Sequence, residues 1–257
     1  MRILITNDDG IHAPGLGVLE AIAKEIADEV IVVAPEMDQS GVAHSLSVND
    51  PLRLRTISET RYAVKGTPTD CIIMGVKHIL DGKPVDLVLS GINSGQNVAE
   101  DVTYSGTIAG AIEGTILGIP SIALSQGYGK EAYGGRDGIP WDCARTHGPG
   151  VIRKIIAAGF EKDVVVNVNF PACSPDEVTG IAATVQGRRD AQIVRIDPRL
   201  DGRGNPYYWI AFGRNNYKVE AGTDLEALAR KRVSVTPLKL DLTDEPTVTR
   251  YAQIFAA

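Results

Sequence analysis

Cysteine is scarce and nowhere paired. The 257 residues hold three, Cys71, Cys143 and Cys173, far apart and without a C-x-x-C spacing. That argues against a zinc ribbon or a disulfide framework and for a reducing compartment. An excess of basic residues is also missing: Lys plus Arg number 26 against 32 for Asp plus Glu, a net charge of −6. The chain therefore has no long-range attraction for a nucleic acid duplex or an anionic membrane, and any phosphate must be held by a local device. No apolar run reaches the length of a membrane span, and no basic and apolar leader precedes the first strand-like run. The expected location is the cytoplasm. Internal repeats, low-complexity stretches, and His or Cys pairs at metal-ligand spacing are absent as well. What is present is an ordinary globular composition, 44% hydrophobic and 23% charged, at a length that suits one large α/β domain or one domain with a small appendage.

Short β-rich runs alternate with helical periodicity. RILIT (2–6) reads as a strand, and GLGVLEAIAKEIAD places Leu16, Leu19, Ile22, Ala23 and Ile26 at helical spacing. EVIVVA (29–34), VDLVLS (85–90), IPSIAL (119–124) and VVVNVN (164–169) continue the strand series, with helices expected at about 69–80, 106–118 and 149–158. Strands apolar on both faces, separated by helices, indicate βαβ units and a mostly parallel sheet covered on both sides, a Rossmann-like three-layer α/β fold. After residue 180 the character changes. Residues 184–214 read as an antiparallel hairpin, KRVSVTPLKLDL as a returning strand, and DEPTVTRYAQIF as a terminal helix with Pro246 near its start. The expected division is a core over 1–180, with residues 181–257 forming a hairpin arm, a returning strand and a C-terminal helix that serve oligomerisation and are not an independent domain.

In an open parallel sheet, ligands bind beyond the carboxyl ends of the strands. The first strand ends in Asn7-Asp8-Asp9-Gly10, the second is followed by PEMDQSG with Ser40, and the third runs into Ser90-Gly91-Ile92-Asn93. Asn, Asp and Gly also make ordinary turns. Three successive strand ends nevertheless deliver two carboxylates, a hydroxyl and a carboxamide, all oxygen donors, to one edge. Such a set suits Mg²⁺ or Mn²⁺ better than Zn²⁺. Downstream, Tyr104-Ser105-Gly106-Thr107 precedes a helical run. Ser and Thr there serve either as a plain N-cap or as part of an anion cradle built from hydroxyls, free amides and the helix dipole. A cation beside an anion cradle points to phosphoryl hydrolysis.

The ordered set ITNDDG, VVAPEMDQSG, GTPTDC, VLSGINSGQN, YSGTIAGAIEG and SVTPL resembles the SurE family of survival proteins, which are 5′-nucleotidases. The resemblance covers nearly the whole chain. It implies one divalent cation per subunit, Mg²⁺ or Mn²⁺, on Asp8, Asp9, Ser40 and Asn93, and substrate-phosphate contacts at Asn97, Ser105, Gly106 and Thr107. It implies release of phosphate from nucleoside 5′-monophosphates, also from 3′-monophosphates and short polyphosphate, and a cytoplasmic homodimer or homotetramer joined through the C-terminal arm at about 190–235. Asp8 and Asp9 are the catalytic candidates, with Asp9 the better placed to handle a proton. Attack by water and attack by an aspartate both remain open. Arg230-Lys231-Arg232 stands where many relatives have a Gly-aromatic pair, which bears on arm geometry rather than on chemistry. A nucleotide-binding regulatory protein without turnover is the alternative from another class.

Other residues are read as structural. His12 belongs to a polar loop, His44 lies four residues after Ser40 as a pocket-lining candidate, and His78 and His147 are assigned no chemistry. Gly66–Cys71 reads as a strand-to-helix turn with Thr69 or Asp70 near the helix start, and as pocket lining second. Arg188, Arg189, Arg195, Arg199, Arg203 and Arg214 are read as a solvated face with ion pairs across a subunit interface. Tyr207, Tyr208 and Trp209 are read as interface or core packing, and Tyr104 or Tyr128 as open candidates for base contact.

Overall fold

The computed structural model describes residues 1–128, 141–189, 194–212 and 219–256; Arg214 lies outside them. The strands are β1 (Arg2–Thr6), β2 (Glu29–Pro35), β3 (Leu54–Ser58), β4 (Arg61–Val64), β5 (Leu87–Ser94), β6 (Ser121–Gln126), β7 (Val164–Phe170), β8 (Gly180–Ala183), β9 (Val194–Leu200), β10 (Pro206–Phe212) and β11 (Arg232–Lys239). The helices are α1 (Pro14–Lys24), α2 (Pro68–Met74, widening into a π turn over Gly75–Ile79), α3 (Gly106–Ile116), α4 (Trp141–Ala158), α5 (Asp224–Ala229) and α6 (Glu245–Phe255). Among the described residues nine strands form one sheet in the order β3-β4-β2-β1-β5-β6-β7-β11-β8. Its centre is parallel, while β3 and β11 each run against a neighbour, β4 and β7 respectively.

Period-two alternation explains the layers. In β1, Ile3 and Ile5 bury against Leu16, Leu19 and Ile22 of α1 and Ile152 of α4. Leu4 faces the other way, into Val33, Val88, Cys71 and Ile72 beneath α2. α3 lies on this second side and close to the strands, because a Cβ on Gly110 would stand 2.8 Å from Ser90 Oγ and from Thr6 Cγ2. The result is an α/β fold with helices on both faces of a mostly parallel sheet, completed by the β9–β10 hairpin and the terminal helix α6.

Several bounds differ from the sequence reading. α4 begins at Trp141 rather than 149. The Gly148-Pro149-Gly150 run resembles a helix start, yet Cys143, Ala144, Val151 and Ile152 bury one face across it, and tertiary packing overrides the cost of an interior proline. β5 extends past residue 90 to Ser94. The β3–β4 hairpin, β8 and α5 carry no clear sequence signal, being four to six residues each and, in β3, almost wholly exposed.

Candidate active site

The chain crosses from one side of β1 to the other after β4, so the crevice beyond the carboxyl ends of β1 and β5 is a topological switch point. β1 places Thr6 beside Ser90 of β5, and the residues following each strand meet there. Asn7 closes the turn by donating from Nδ2 to Gly10 O at 3.0 Å. Asp8 is buried and Asp9 half-buried. The Ser94 amide donates to Asp9 Oδ2 at 3.1 Å, bridging the two strands at their tips.

Asn93 is carried by an irregularity in β5, where the register against β6 shifts between Ser90 and Asn93. Such a bulge re-aims side chains at a strand end. Gly91 makes it feasible: its φ is 137°, and a Cβ there would strike Leu124 O. Asn93 donates from Nδ2 to Gly95 O at 2.9 Å, leaving the carboxamide oxygen as its acceptor end. The loop after β2 reaches the same edge, where the Gln39 amide donates to Asp8 O at 2.8 Å. The next residue, Ser40, is exposed and donates from Oγ to Asp38 Oδ1 at 2.6 Å.

The start of α3 closes the site. Ser105 is its N-cap, accepting from the Ile108 amide at 3.1 Å. Thr107, fully buried, donates from Oγ1 to Asp8 Oδ1 at 2.5 Å. A Cβ on Gly106 would lie 2.8 Å from Asp8 Cβ and 3.1 Å from its Oδ2, so glycine at that position is what lets the helix end approach the carboxylate. Amides in the first turn of a helix lack intrahelical partners and carry the positive end of its dipole.

Electrostatically the site wants positive charge. Asp8 is pushed up to about 7, first by burial and further by the charges of Asp9 and Asp38, against the Thr107 hydroxyl that favours its anion. Among the described residues no group of three or more His, Cys, Asp or Glu could hold a metal. A cation at this edge would therefore draw on two carboxylates together with neutral oxygens, and Ser40 and Asn93 supply those residue types. The buried carboxylate and the hard oxygen donors fit Mg²⁺ or Mn²⁺.

Asn97 stands one step along the sheet edge. Its amide donates to Asn169 Oδ1 at 2.8 Å, and its carbonyl accepts from Asn167 Nδ2 at 2.8 Å and Asn169 Nδ2 at 3.1 Å. Its own Nδ2 donates to Ser125 Oγ at 2.9 Å. Sequence reasoning missed this support. The signal was available, since two fully buried carboxamides two residues apart on one face of β7 must find partners.

The remaining expectations fall as follows. His12 and His78 are exposed. His44 Nε2 meets Glu113 Oε2 of α3 at 3.0 Å, and His147 Nε2 meets Pro175 O at 2.9 Å. Asp70 forms a capping box with Thr67 at the start of α2. Arg189, expected at an interface, pairs within the chain, with Nη1 and Nη2 donating to Asp101 at 3.0 and 2.7 Å. Cys71, Cys143 and Cys173 are buried and free. Tyr104 is exposed beside Ser105, and the ring of Tyr128 lies over Gly95.

Residues 3–193 match the family profile described as "Survival protein SurE". The chain belongs to the SurE family. It is 67% identical over 253 residues to the 5′-nucleotidase SurE of Beijerinckia indica, covering 98% of this chain and 96% of that one. It is 68% identical over 253 residues to the 5′-nucleotidase SurE of Methylocella silvestris, covering 98% and 99%. The crystal structure of the SurE protein from Aquifex aeolicus superposes with a TM-score of 0.84 at 40% identity, covering 99% of each chain. The SurE fold thus extends through the hairpin and α6 to nearly the full length of this sequence.

Proposed function

We propose that this chain is a divalent-metal-dependent 5′-nucleotidase that hydrolyses nucleoside 5′-monophosphates at the β1–β5 crevice. The observation that carries this reading is the meeting of a buried, proton-hungry Asp8 with the N-terminus of α3. Asp8, Asp9, Ser40 and Asn93 would hold one Mg²⁺ or Mn²⁺, and the 5′-nucleotidase activity named for the relatives supplies the substrate class. When bound, the cation neutralises charge on phosphoryl oxygens and makes water more acidic.

The protein's own groups do the rest. The Thr107 hydroxyl is engaged with Asp8 and fixes that carboxylate's orientation, so Thr107 serves the phosphate through its backbone amide. Ser105 Oγ accepts from the Ile108 amide, which leaves its own proton to donate to a phosphoryl oxygen. With the Gly106 amide, these donors form a cradle aimed at charge that redistributes as the P–O bond breaks. Asn97, held at both backbone atoms by Asn167 and Asn169, would add a further contact to the phosphate. Asp9, half-buried and adjacent in sequence to Asp8, would take a proton from the attacking water. The same cradle serves 3′-monophosphates and short polyphosphate as secondary substrates. Free, buried thiols support a cytoplasmic location, and the hairpin supports a homodimer or homotetramer.

Phosphate release from 5′-AMP and 5′-GMP, measured with Mn²⁺, Mg²⁺ or EDTA, tests the proposal. Release should require metal, stop with EDTA, and fall by at least about a hundredfold in Asp8→Asn. Nucleotide binding without release, by folded protein with either metal, would move the chain to a regulatory role.

A further inference from the structure

The loop over residues 36–53 brings Ser40 to the site, yet it has little apolar burial to hold it. Met37, Leu46 and Val48 are 74%, 50% and 79% exposed. Its anchors are polar and come in sequence along two helices that pack side by side, α2 and α3. After Gln39 binds Asp8 O, the Ala43 amide donates to Tyr104 O at 3.3 Å, just before α3. His44 then reaches Glu113 at 3.0 Å. Ser45 O accepts from Thr67 Oγ1 at 2.8 Å, and Ser47 donates to Asp70 from its amide at 3.1 Å and its hydroxyl at 2.7 Å.

Two features single out His44. Glu113 is a buried carboxylate (7% exposed), and a buried carboxylate requires a donor. The loop supplies one. Ala43, immediately before, sits at φ 51°, a left-handed conformation that an L residue keeps only when its surroundings hold it there. The contacts of Ala43 with Tyr104 and of His44 with Glu113 are what hold it. Glu113 lies seven residues along α3 from Gly106, roughly 10 Å down the axis, so the His44–Glu113 contact is made well along the helix from the proposed phosphate cradle.

We infer that His44, acting through Glu113, is a positioning residue that straps the Ser40 loop down against the cation site. The inference rests on the proposed reading of Ser40 as a ligand, and extends it by naming what keeps that ligand in place. In this arrangement the loss of His44 loosens Ser40 and weakens cation binding, while the chemistry of the cation-loaded site is preserved.

The test is Mn²⁺ binding by the full chain without nucleotide, read from the electron paramagnetic resonance signal of free Mn²⁺, for wild type, His44→Ala and His44→Gln. Thermal midpoints in EDTA confirm folding. His44→Ala should weaken Mn²⁺ binding about tenfold, the scale of losing a hydrogen bond to a charged group. His44→Gln, whose amide also donates to Glu113, should stay within about threefold of wild type. At saturating Mn²⁺ the kcat of all three should agree within about twofold. Should His44→Ala not fold, Ser47→Ala removes the hydroxyl bond to Asp70 while leaving the amide bond, and should weaken Mn²⁺ about threefold. Unchanged Mn²⁺ binding in the variants, or His44→Gln as weak as His44→Ala, overturns the strap. Wild type that binds no Mn²⁺ instead overturns the cation reading of the site, and this inference with it.

Discussion

Asp8 shows what the site costs the fold. Its carboxyl stands at about 7 against an ordinary 3.8, so without a cation the folded protein holds this proton more tightly than the unfolded chain. The sign follows by linkage: the contribution is whole below about 4, where both states are protonated, and is lost as pH rises to about 7. Asp8→Asn cannot ionise and keeps an acceptor for the Thr107 hydroxyl. In EDTA at pH 8 the variant should unfold several degrees above wild type, as a few kcal/mol implies for a chain of this size, and at pH 4 the two should coincide. Scanning fluorimetry at both pH values decides it. Saturating Mn²⁺ should reverse the order at pH 8, since wild type, with both carboxylates, gains more by binding. Equal midpoints in EDTA at pH 8 would mean that Asp8 is not held in the unfavourable environment described here. The same crowding makes Gly106 exacting. A methyl group there meets the Asp8 side chain at 2.8 Å, and the overlap costs about 1–3 kcal/mol. Gly106→Ala should lower kcat/KM at least about tenfold while the far-ultraviolet circular dichroism spectrum stays unchanged.

Among the elements, β7 carries a task that its hydrophobicity conceals. Asn167 and Asn169, both fully buried, spend their side chains on the backbone of Asn97. Asn169→Ala leaves a buried amide without its acceptor, at about 1–3 kcal/mol, and frees Asn97 to turn. The expected result is a raised KM for nucleotide with a smaller change in kcat, plus a modest fall in thermal midpoint; an unaltered KM would remove Asn97 from the phosphate site. β7 also shows where sequence reading succeeds and stops. The strand itself, like β1, β2 and β6, was legible because its apolar residues and turn punctuation are local. That the segments carrying Asp8, Asp9, Ser40 and Asn93 end at one edge was legible, because parallel topology alone brings successive strand ends together; their joint hold on a cation is the proposal. The donation from Thr107 to Asp8 was not legible, since it joins residues 99 positions apart through the depth at which α3 sits on the sheet. Nor was the true start of α4, where burial of Cys143 and Ala144 outweighs the local signal of Gly148-Pro149-Gly150.

At the scale of the whole molecule, the hairpin is the part that one chain leaves unsatisfied. Among the described residues β9 and β10 pair only with each other, in register from Val194↔Phe212 to Leu200↔Pro206. A two-stranded ribbon on its own is marginal in water. This one exposes Ile196, Leu200, Tyr208, Trp209 and Ile210, each by more than half, which is far more apolar surface than a ribbon needs on its solvent side. A second copy of the chain is the proposed cover. Ile196 and Ile210 are cross-strand partners, so replacing both with Asp puts like charges opposite one another and removes the apolar pair. Light scattering after size exclusion should show the wild type as a multiple of 27.4 kDa and the double variant at a lower multiple. Because every residue proposed for the cation and phosphate lies on the strand ends, the loops that follow them and the start of α3 of one chain, and because Asp224 anchors the returning segment locally through the amides of Ala99 and Gly187 at 2.9 and 2.8 Å, Mn²⁺ binding should survive the loss of mass. A variant that keeps the wild-type mass would place the interface elsewhere. The next surface to test is α6, where the rings of Tyr251 and Phe255 meet at a tilt, centroids 5.9 Å apart, on an exposed face. A variant that loses mass and Mn²⁺ together would show instead that the partner chain completes the site.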